Sequence, residues 1–319
     1  MDSSTSLLQT LTAATNIEVD YTKPWYPWLI VVFEVLCVLN AVGNVLVIIA
    51  FVKSEQLQTP TNLLICNHCL MDASMSLAGQ PFIWLTFTQR GIIGTMNIKY
   101  LCLGGMGIAR ISSLGSILGI LLLTVERSIA IFCPYRYYTV VTHASIKRVI
   151  VCFWSFCILI SCLPMLGWNN WQPGLRCNAL NFSSKIYNMY MFTAFCFICL
   201  VVAAILNICM AMVAVKKNRV QDSNSEESGH IKVMKMLLKV VGVFYLCRMP
   251  HLVITTVYSI TPVEEREELP DWFMAVFDFA KVFIGLNAVF NPLIYVRSSE
   301  QFMDAFKRLW KIDNRVNTC

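Results

Sequence analysis

The sequence predicts an all-α membrane protein, a seven-transmembrane helix bundle followed by a short amphipathic helix on the cytoplasmic side. The first observation is composition, since 57% of the 319 residues are hydrophobic and only 14% are charged. A water-soluble domain of this size carries more charge than that. The second is that seven stretches reach the roughly 20 mostly apolar residues that a helix needs to cross a bilayer. The third is that most charged residues fall in the short connections between these stretches.

The seven predicted spans run over residues 28–52, 63–86, 101–131, 149–168, 189–215, 240–260 and 273–296. Backbone groups do not stay unpaired in lipid, so a spanning segment is either a helix or a barrel strand. Stretches of this length are too long for strands. We therefore expect residues 1–24 to form an extracellular segment, residues 25–297 the seven-helix domain, and residues 298–319 the amphipathic helix and cytoplasmic tail.

The segment after the seventh span has the pattern of a helix that lies on a membrane surface. Phe302, Phe306 and then Leu309 or Trp310 recur at helical spacing, with basic side chains beside them. Such a helix buries its apolar side in the inner leaflet and leaves its cations at the headgroups. Cys319 is either lipidated or a free thiol.

Lysine and arginine residues predict which side of the membrane each connection faces. They are concentrated after spans one, three and five and in the C-terminal segment, as Lys53, Lys147, Lys216 and Lys307 illustrate. Basic residues favour the cytoplasm, so we expect the N-terminus outside the plasma membrane. Asn181 lies in an Asn-X-Ser sequon in an outer connection, where glycosylation is predicted. This distribution of the net charge of +6 favours the lipid bilayer as a partner and argues against nucleic acid.

Several polar residues lie inside the predicted spans, where a polar group is costly and usually faces the interior of the bundle. Each could be a structural hydrogen-bonding residue, but together they predict a polar spine that suits a protein that changes shape. The set comprises Asn44, Asp72, Ser116, Glu126, Arg127, Asn287 and Asn291.

Short motifs in these spans follow a fixed order along the chain. They are Gly43-Asn44 in span one, Asp72 in span two, Glu126-Arg127-Ser128 in span three, Trp154 in span four, Phe244 and Pro250 in span six, and Asn291-Pro292-Leu293-Ile294-Tyr295 in span seven. In this order, one per helix, they resemble the signatures of rhodopsin-like (class A) G-protein-coupled receptors. The resemblance covers nearly the whole chain.

The resemblance implies how such a receptor is switched. Glu126 would hold Arg127 in an inactive ion pair beneath the G-protein site and release it when the partner binds. Pro250 and Pro292 each remove a helix hydrogen bond and permit a kink, which makes them candidate hinges. Phe244 and Tyr295 belong to the same activation and coupling set.

The resemblance also implies a sodium ion and a disulfide. Asp72, Ser116, Asn287 and Asn291 match the oxygen ligands of the family's sodium pocket, in which Asn44 is a further polar neighbour. A water-filled hydrogen-bond network is the alternative. No other cofactor is expected. Cys102, at the outer start of span three, would pair with Cys177 in the second outer loop, where the compartment is oxidising.

Three residues depart from the family pattern at positions that bear on signalling. Arg248 stands where the family usually has tryptophan, Ser128 follows the arginine in place of tyrosine, and Asn207 is nearest to a missing inner tyrosine in span five. Because of these changes, a silent or decoy receptor with reduced G-protein activation is an alternative function.

Two branches of the family share local sequence with this chain. Residues 134–143 and 163–170 are similar to adenosine receptors, but the family's purine contacts do not carry over, since Thr255 and Gly285 stand at two of those positions. The second outer loop is similar to opsins, which need a lysine for the retinal Schiff base. Gly285 occupies the matching position and Lys281 lies one turn outward, so an opsin-like photoreceptor with a displaced lysine is an alternative.

Three cations, Arg110, Arg248 and Lys281, are predicted in the outer half of the bundle. Buried cations without partners cost several kcal/mol each. Their partners are either internal acids or the carboxylate or phosphate of a ligand. The internal candidates are Asp278, Glu34 and Asp72, and the further candidate ligand contacts are Ser113, His251 and Thr255. We expect an anionic or zwitterionic small-molecule ligand, with internal salt bridges as the alternative.

Together these features predict a plasma-membrane receptor that transmits an extracellular small-molecule signal to heterotrimeric G proteins. No Ser/His/Asp set, phosphate-binding glycine loop or metal-binding helix motif favours an enzyme. A seven-span transporter is the alternative from another class. Transporters commonly contain internal repeats, and no repeat relates the two halves of this sequence.

Overall fold

A computed structural model of the chain describes residues 22–177, 183–184, 186–220, 229–261 and 269–316. Over these residues, seven long helices occupy the predicted spans. Spans one to seven are Tyr26–Lys53, Pro60–Phe87, Lys99–Phe132, His143–Cys162, Phe195–Val220 with the π-helical Tyr187–Ala194 before it, Gly229–Ile260, and Asp271–Ser298. The predicted all-α bundle is confirmed.

Six of these helices are long and apolar enough to cross a membrane. Span two is as long as span one but more polar, because Asn67, His68, Asp72 and Gln80 lie within it. It packs between spans one and three, so its polar side chains face the other helices rather than lipid.

Short helices join the spans. They are the 3-10 turn Glu55–Leu57, Gln89–Asn97 between spans two and three, and Pro134–Val140 between spans three and four. Local sequence explains where helices begin. The Thr59 hydroxyl accepts a hydrogen bond from the backbone N–H of Asn62, and Pro60 occupies the first helical turn, where its missing N–H is no loss.

The predicted bounds of span four, 149–168, are wrong at both ends. The helix begins at His143, after a capping box in which the Thr142 and Ser145 side chains each bond the other's backbone N–H. It ends at Cys162, two residues before Pro164, which has no N–H to continue the helical hydrogen bonds. Trp168 therefore belongs to the loop that follows.

The two ends of the bundle are named here by the chain: the N-terminal face carries the start of span one, and the C-terminal face carries its end. Span three crosses the centre and contacts spans two, four, five and six. Outward positions are apolar and exposed, as Leu77, Leu246 and Leu293 illustrate at 70%, 76% and 59% exposure. A lipid environment makes such a surface stable.

The amphipathic helix, Glu300–Val316, begins two residues after span seven ends. Phe302 and Ala305 are buried against span one and the turn that contains Leu57, while Lys307 is exposed. The side chain of Trp310, predicted as part of the apolar face, and the terminal Cys319 lie outside the described positions.

Candidate functional site

At the N-terminal face, a disulfide joins Cys102 in span three to Cys177 in the loop after span four, 75 residues away. The predicted pairing is therefore present. The same loop is held by Trp171, whose Nε1 donates to the carbonyl of Thr95 at 3.3 Å. It is also held by Arg176, which donates to the hydroxyl of Tyr26 at 2.5 Å. Asn181, the predicted glycosylation site, lies outside the described residues.

Arg110 is buried beside the loop and the π-helical start of span five. Its Nη2 donates to Ser183 Oγ at 3.2 Å and to Asn188 Oδ1. The guanidinium lies 4.7 Å from the ring centre of Tyr187 and 4.8 Å from that of Phe192. π-helical turns are rare and often lie at functional sites. Here the turn places the Asn188 amide and the rings of Tyr187 and Phe192 against one guanidinium. These contacts stabilise its positive charge, and none of them involves a carboxylate.

Arg248 lies deeper, in span six, and is 6% exposed. Its Nη1 donates to Ser113 Oγ at 3.1 Å and its Nη2 to the Ser113 carbonyl at 3.4 Å. Its guanidinium is 5.7 Å from the ring centre of Phe244. Within the described side chains, no acid pairs with Arg248 and its Nε has no hydrogen-bond partner. The predicted internal partner Asp72 therefore forms no ion pair with it.

Lys281 forms the internal ion pair that was one of the two predicted alternatives. Its Nζ lies 2.7 Å from Asp278 Oδ1, and the other carboxylate oxygen accepts a 3.1 Å hydrogen bond from the Trp25 indole. The prediction that Glu34 pairs with a cation is wrong for the described side chains. Both of its oxygens accept from neutral groups, the Gln80 amide at 2.6 Å and the Trp84 indole at 3.0 Å.

The remaining predicted ligand contacts lie on span six near these cations. His251 Nε2 and the Thr255 hydroxyl are 3.4 Å apart, and the His251 ring centre is 6.3 Å from that of Phe277. The structure thus places the candidates in the N-terminal half of the bundle, with Arg110 against the start of span five and the others on spans three, six and seven.

The centre of the bundle holds the polar residues that the sequence grouped together. Asn291 Nδ2 donates to Asp72 Oδ2 at 3.0 Å and lies 3.1 Å from His68 Nε2. His68 Nε2 is itself 3.7 Å from Asp72 Oδ2. Span seven is therefore tied to span two at a buried carboxylate.

The other members of this group surround that contact. Asn44 Nδ2 donates to Asn40 Oδ1 at 2.5 Å and to the Ala288 carbonyl at 3.2 Å, joining spans one and seven. Ser116 and Asn287 are buried, but neither side chain bonds to Asp72 in the described part of the chain. Over the described part of the chain, the side-chain oxygens of Asn287 and Asn291 have no hydrogen-bond partner. The cluster therefore offers oxygen acceptors that the protein leaves unused.

At the C-terminal face, Glu126 and Arg127 form the predicted ion pair. Arg127 Nε lies 2.5 Å from Glu126 Oε2, and its Nη2 donates to Oε1 as well. Two further residues close the pair: the Thr61 hydroxyl donates to Glu126 at 2.7 Å and the Tyr137 hydroxyl at 2.6 Å. Tyr137 lies on the short helix between spans, and burial, followed by its bond to Glu126, raises its pKa.

The predicted hinge and coupling residues lie between these centres. Phe244 and Tyr295 are fully buried, whereas Pro250 is exposed. Pro292 lies inside span seven and packs against Gly43, where a Cβ would lie 3.2 Å from Pro292 Cγ. Both prolines sit within continuous helices, so their role as hinges remains a prediction.

Sequence reasoning missed several residues of this site. His68 and Tyr137 were not predicted as members of it, and neither were the contacting residues Asn40 and Trp25. A signal existed for His68, since it lies one helical turn before Asp72 and therefore on the same face. No sequence signal placed Tyr137, because its position depends on the path of a loop.

A lipid-facing bundle of seven helices, with a polar centre and a buried ion pair at one end, defines a membrane protein of the receptor type. The sequence model of the 7 transmembrane receptor (rhodopsin family) matches residues 43–295. The chain therefore belongs to this family, whose members are signalling receptors and not enzymes.

Three relatives illustrate the similarity. Adenosine receptor A2b of Rattus norvegicus is 27% identical over 86% of this chain and 87% of its own length. Thyrotropin-releasing hormone receptor of Bos taurus is 26% identical over 86% and 76%. Adenosine receptor A2a of Cavia porcellus is 26% identical over 86% and 70%. The predicted family is confirmed, and these names span small-molecule and peptide-hormone receptors.

Proposed function

We propose that this protein is a plasma-membrane receptor that couples an anionic or zwitterionic small molecule, bound at the N-terminal face, to a heterotrimeric G protein at the C-terminal face. The observation that carries the proposal is the separation of two charged centres along span three. Arg110 lies in the N-terminal half of this helix, and the closed Glu126–Arg127 pair lies near its C-terminal end. The polar residues around Asp72 occupy the space between them.

Ligand binding in this scheme shifts an equilibrium between two arrangements of the helices. In the arrangement described, Arg127 is engaged by Glu126, Thr61 and Tyr137 and is only 4% exposed. A G protein would bind the arrangement in which this arginine is released. The ligand must therefore prefer that arrangement, since a ligand that binds both equally shifts nothing.

The experiment is a ligand screen in cells that express the full chain, with G-protein subunit dissociation as the readout. Acids, zwitterions and their neutral analogues are compared at matched concentrations. We expect activation by charged compounds in native protein and its loss in Arg127→Ala, with surface expression retained. If no ligand causes dissociation and basal activity equals that of untransfected cells, the protein is a silent receptor and the coupling proposal is wrong.

The proposed orientation has its own test. The C-terminal face carries most of the lysine and arginine residues, which favours the cytoplasm. With the N-terminal face outside, Asn181 would be glycosylated. Glycosidase treatment should then shift the mobility of native protein and leave Asn181→Gln unchanged. An antibody to an N-terminal tag should label intact cells, and labelling only after permeabilisation would reverse the orientation.

A sodium ion at Asp72 is part of the same proposal. The residues fit such a cation, because a carboxylate and the unused amide oxygens of Asn287 and Asn291 are the hard ligands that it prefers. Bound there, it would offset the buried negative charge. The unfolding temperature should rise in sodium chloride relative to choline chloride, and Asp72→Asn should remove the difference. Equal unfolding temperatures for native protein in both salts would favour the water network instead.

A further inference from the structure

Two of the three cations in the N-terminal half of the bundle already have their main contacts within the protein. Lys281 is paired with Asp278 at 2.7 Å. Arg110 donates to Asn188 and lies 4.7 Å from the ring centre of Tyr187. Neither arrangement singles out a place for a ligand charge.

For Arg248, the described contacts use only one edge of the guanidinium. A guanidinium presents one edge formed by its two Nη groups and another formed by Nε with one Nη. Ser113 takes the first edge, through its hydroxyl at 3.1 Å and its carbonyl at 3.4 Å. At the second edge, Nε is buried and has no hydrogen-bond partner among the described residues. That edge therefore faces a position where the described residues supply no acceptor.

The positive charge of Arg248 indicates which kind of acceptor fits this position. Ser113 is neutral, and the ring of Phe244, 5.7 Å away, offsets a cation only weakly. No acid among the described side chains pairs with Arg248. A water molecule would satisfy the hydrogen bond but not the charge. A carboxylate does both, because its two oxygens match the parallel N–H groups of one guanidinium edge.

We propose that the Nε edge of Arg248 binds a carboxylate group of the ligand and that Ser113 is the positioning residue that holds the guanidinium for it. This inference rests on the receptor function proposed above and narrows its ligand to a carboxylic acid. His251 lies about one turn from Arg248 toward the N-terminal face, so the remainder of the ligand extends past it toward the mouth of the bundle.

The test measures thermal unfolding of the purified full chain in lipid nanodiscs. The probes are matched pairs, butanoate with butanamide and phenylacetate with phenylacetamide, at equal ionic strength. We expect each acid to raise the unfolding temperature in a concentration-dependent way and to bind about tenfold or more tightly than its amide. Equal shifts for acid and amide, or no shift with any acid at millimolar concentration, would overturn the proposal.

Variants then assign the effect to residues. Arg248→Lys should weaken acid binding about tenfold, because an ammonium group lacks the planar edge. Ser113→Ala should weaken it and Ser113→Thr should restore it, which a general loss of packing would not do. Lys23→Met is the matched control for loss of a cation, since this surface lysine is already paired with Asp271, and it should bind acids like native protein. Native affinity in Arg248→Lys would refute the assignment.

The outcomes separate this inference from the receptor function. If Arg248→Lys does not fold, the comparison of acid with amide in native protein still decides. Acid binding without G-protein dissociation would refute the coupling and leave the carboxylate site standing. If a neutral ligand activated native protein and Arg248→Lys with equal potency, the carboxylate site would be refuted and the receptor function would stand.

Discussion

Gly119 in span three and His68 in span two approach so closely that a Cβ on the glycine would overlap His68 Nδ1. The absence of a side chain at Gly119 is what lets the imidazole lie beside Asp72 and Asn291. A buried glycine therefore sets the geometry of the polar centre, although it has no side chain to form a hydrogen bond there.

Gly119→Ala should consequently destabilise the protein. Overpacking of a tight contact costs about 1–3 kcal/mol, which corresponds to an unfolding temperature lower by about 2–6 °C. The measurement is thermal unfolding of purified protein. Gly104→Ala is the control in the same helix, since no atom lies within 4 Å of a Cβ there. It should be neutral or stabilising, because alanine favours a helix by about 1 kcal/mol.

A second variant tests the cause of that loss. His68→Ala removes the overlapped ring, so Gly119→Ala in that background should cost much less than in native protein. Contacting residues show such non-additivity, whereas independent sites do not. Additive losses in the double variant would mean that Gly119 matters for another reason.

Tyr137→Phe should raise basal G-protein activation. The Tyr137 hydroxyl donates to Glu126 at 2.6 Å and accepts from Arg127 at 2.9 Å, so it stabilises the closed pair. A hydrogen bond to a charged group contributes about 1.5–3 kcal/mol, enough to shift a two-state equilibrium about tenfold or more. Basal G-protein dissociation, normalised to surface expression, measures this. Tyr138→Phe is the control, because Tyr138 is 73% exposed. Equal basal activity in the two variants would contradict the prediction.

The same tyrosine predicts a loss of stability at alkaline pH. Burial and the bond to Glu126 raise the pKa of Tyr137 above its ordinary value of 10.0. A raised pKa in the folded state contributes stability that is fully present below pH 10.0 and is lost as the pH rises through the raised value. The stability difference between native protein and Tyr137→Phe should therefore narrow above about pH 10. Unfolding measured from pH 8 to 11 tests this, and a constant difference would count against it.

The positions of the spans were predictable because each is a long apolar stretch, and the Asp72–Asn291 contact agrees with the grouping that the resemblance to the family's sodium pocket implied. The end of span four was missed although Pro164 signalled it, since the apolar run continues past the proline. The contacts of Arg110 were not predictable. They depend on a π-helical turn and on a loop residue, Ser183, whose position is set by tertiary packing and not by local sequence.

Loss of the Cys102–Cys177 disulfide should destabilise the bundle mouth. The bond closes a loop of 75 residues, for which chain entropy gives about 4 kcal/mol. Cys102→Ala, Cys177→Ala and the double variant should lose the same amount, because each breaks the same bond. Surface expression and thermal unfolding are the measurements, with Cys37→Ala as the free-thiol control. A double variant clearly less stable than either single variant would show that the cysteines act separately.

The Lys281–Asp278 pair should behave as an internal salt bridge and not as part of the ligand site. Asp278 is buried with a side chain 5% exposed, and apart from Lys281 its described contact is the Trp25 indole. Lys281→Met leaves that carboxylate without its counter-ion, which costs up to about 3–5 kcal/mol. Replacing both residues, as Lys281→Met with Asp278→Asn, removes the uncompensated charge and should recover most of the loss.

The exposed pair Lys23–Asp271 provides the comparison. Its side chains are 35% and 74% exposed, so Lys23→Met should cost no more than about 1 kcal/mol. Thermal unfolding of the three variants and native protein measures the cost of losing each pair, and binding of butanoate to each shows whether the ligand site is affected. If Lys281→Met were as stable as native protein and lost butanoate binding, Lys281 would be a ligand contact, and Arg248 would not be the sole anchor.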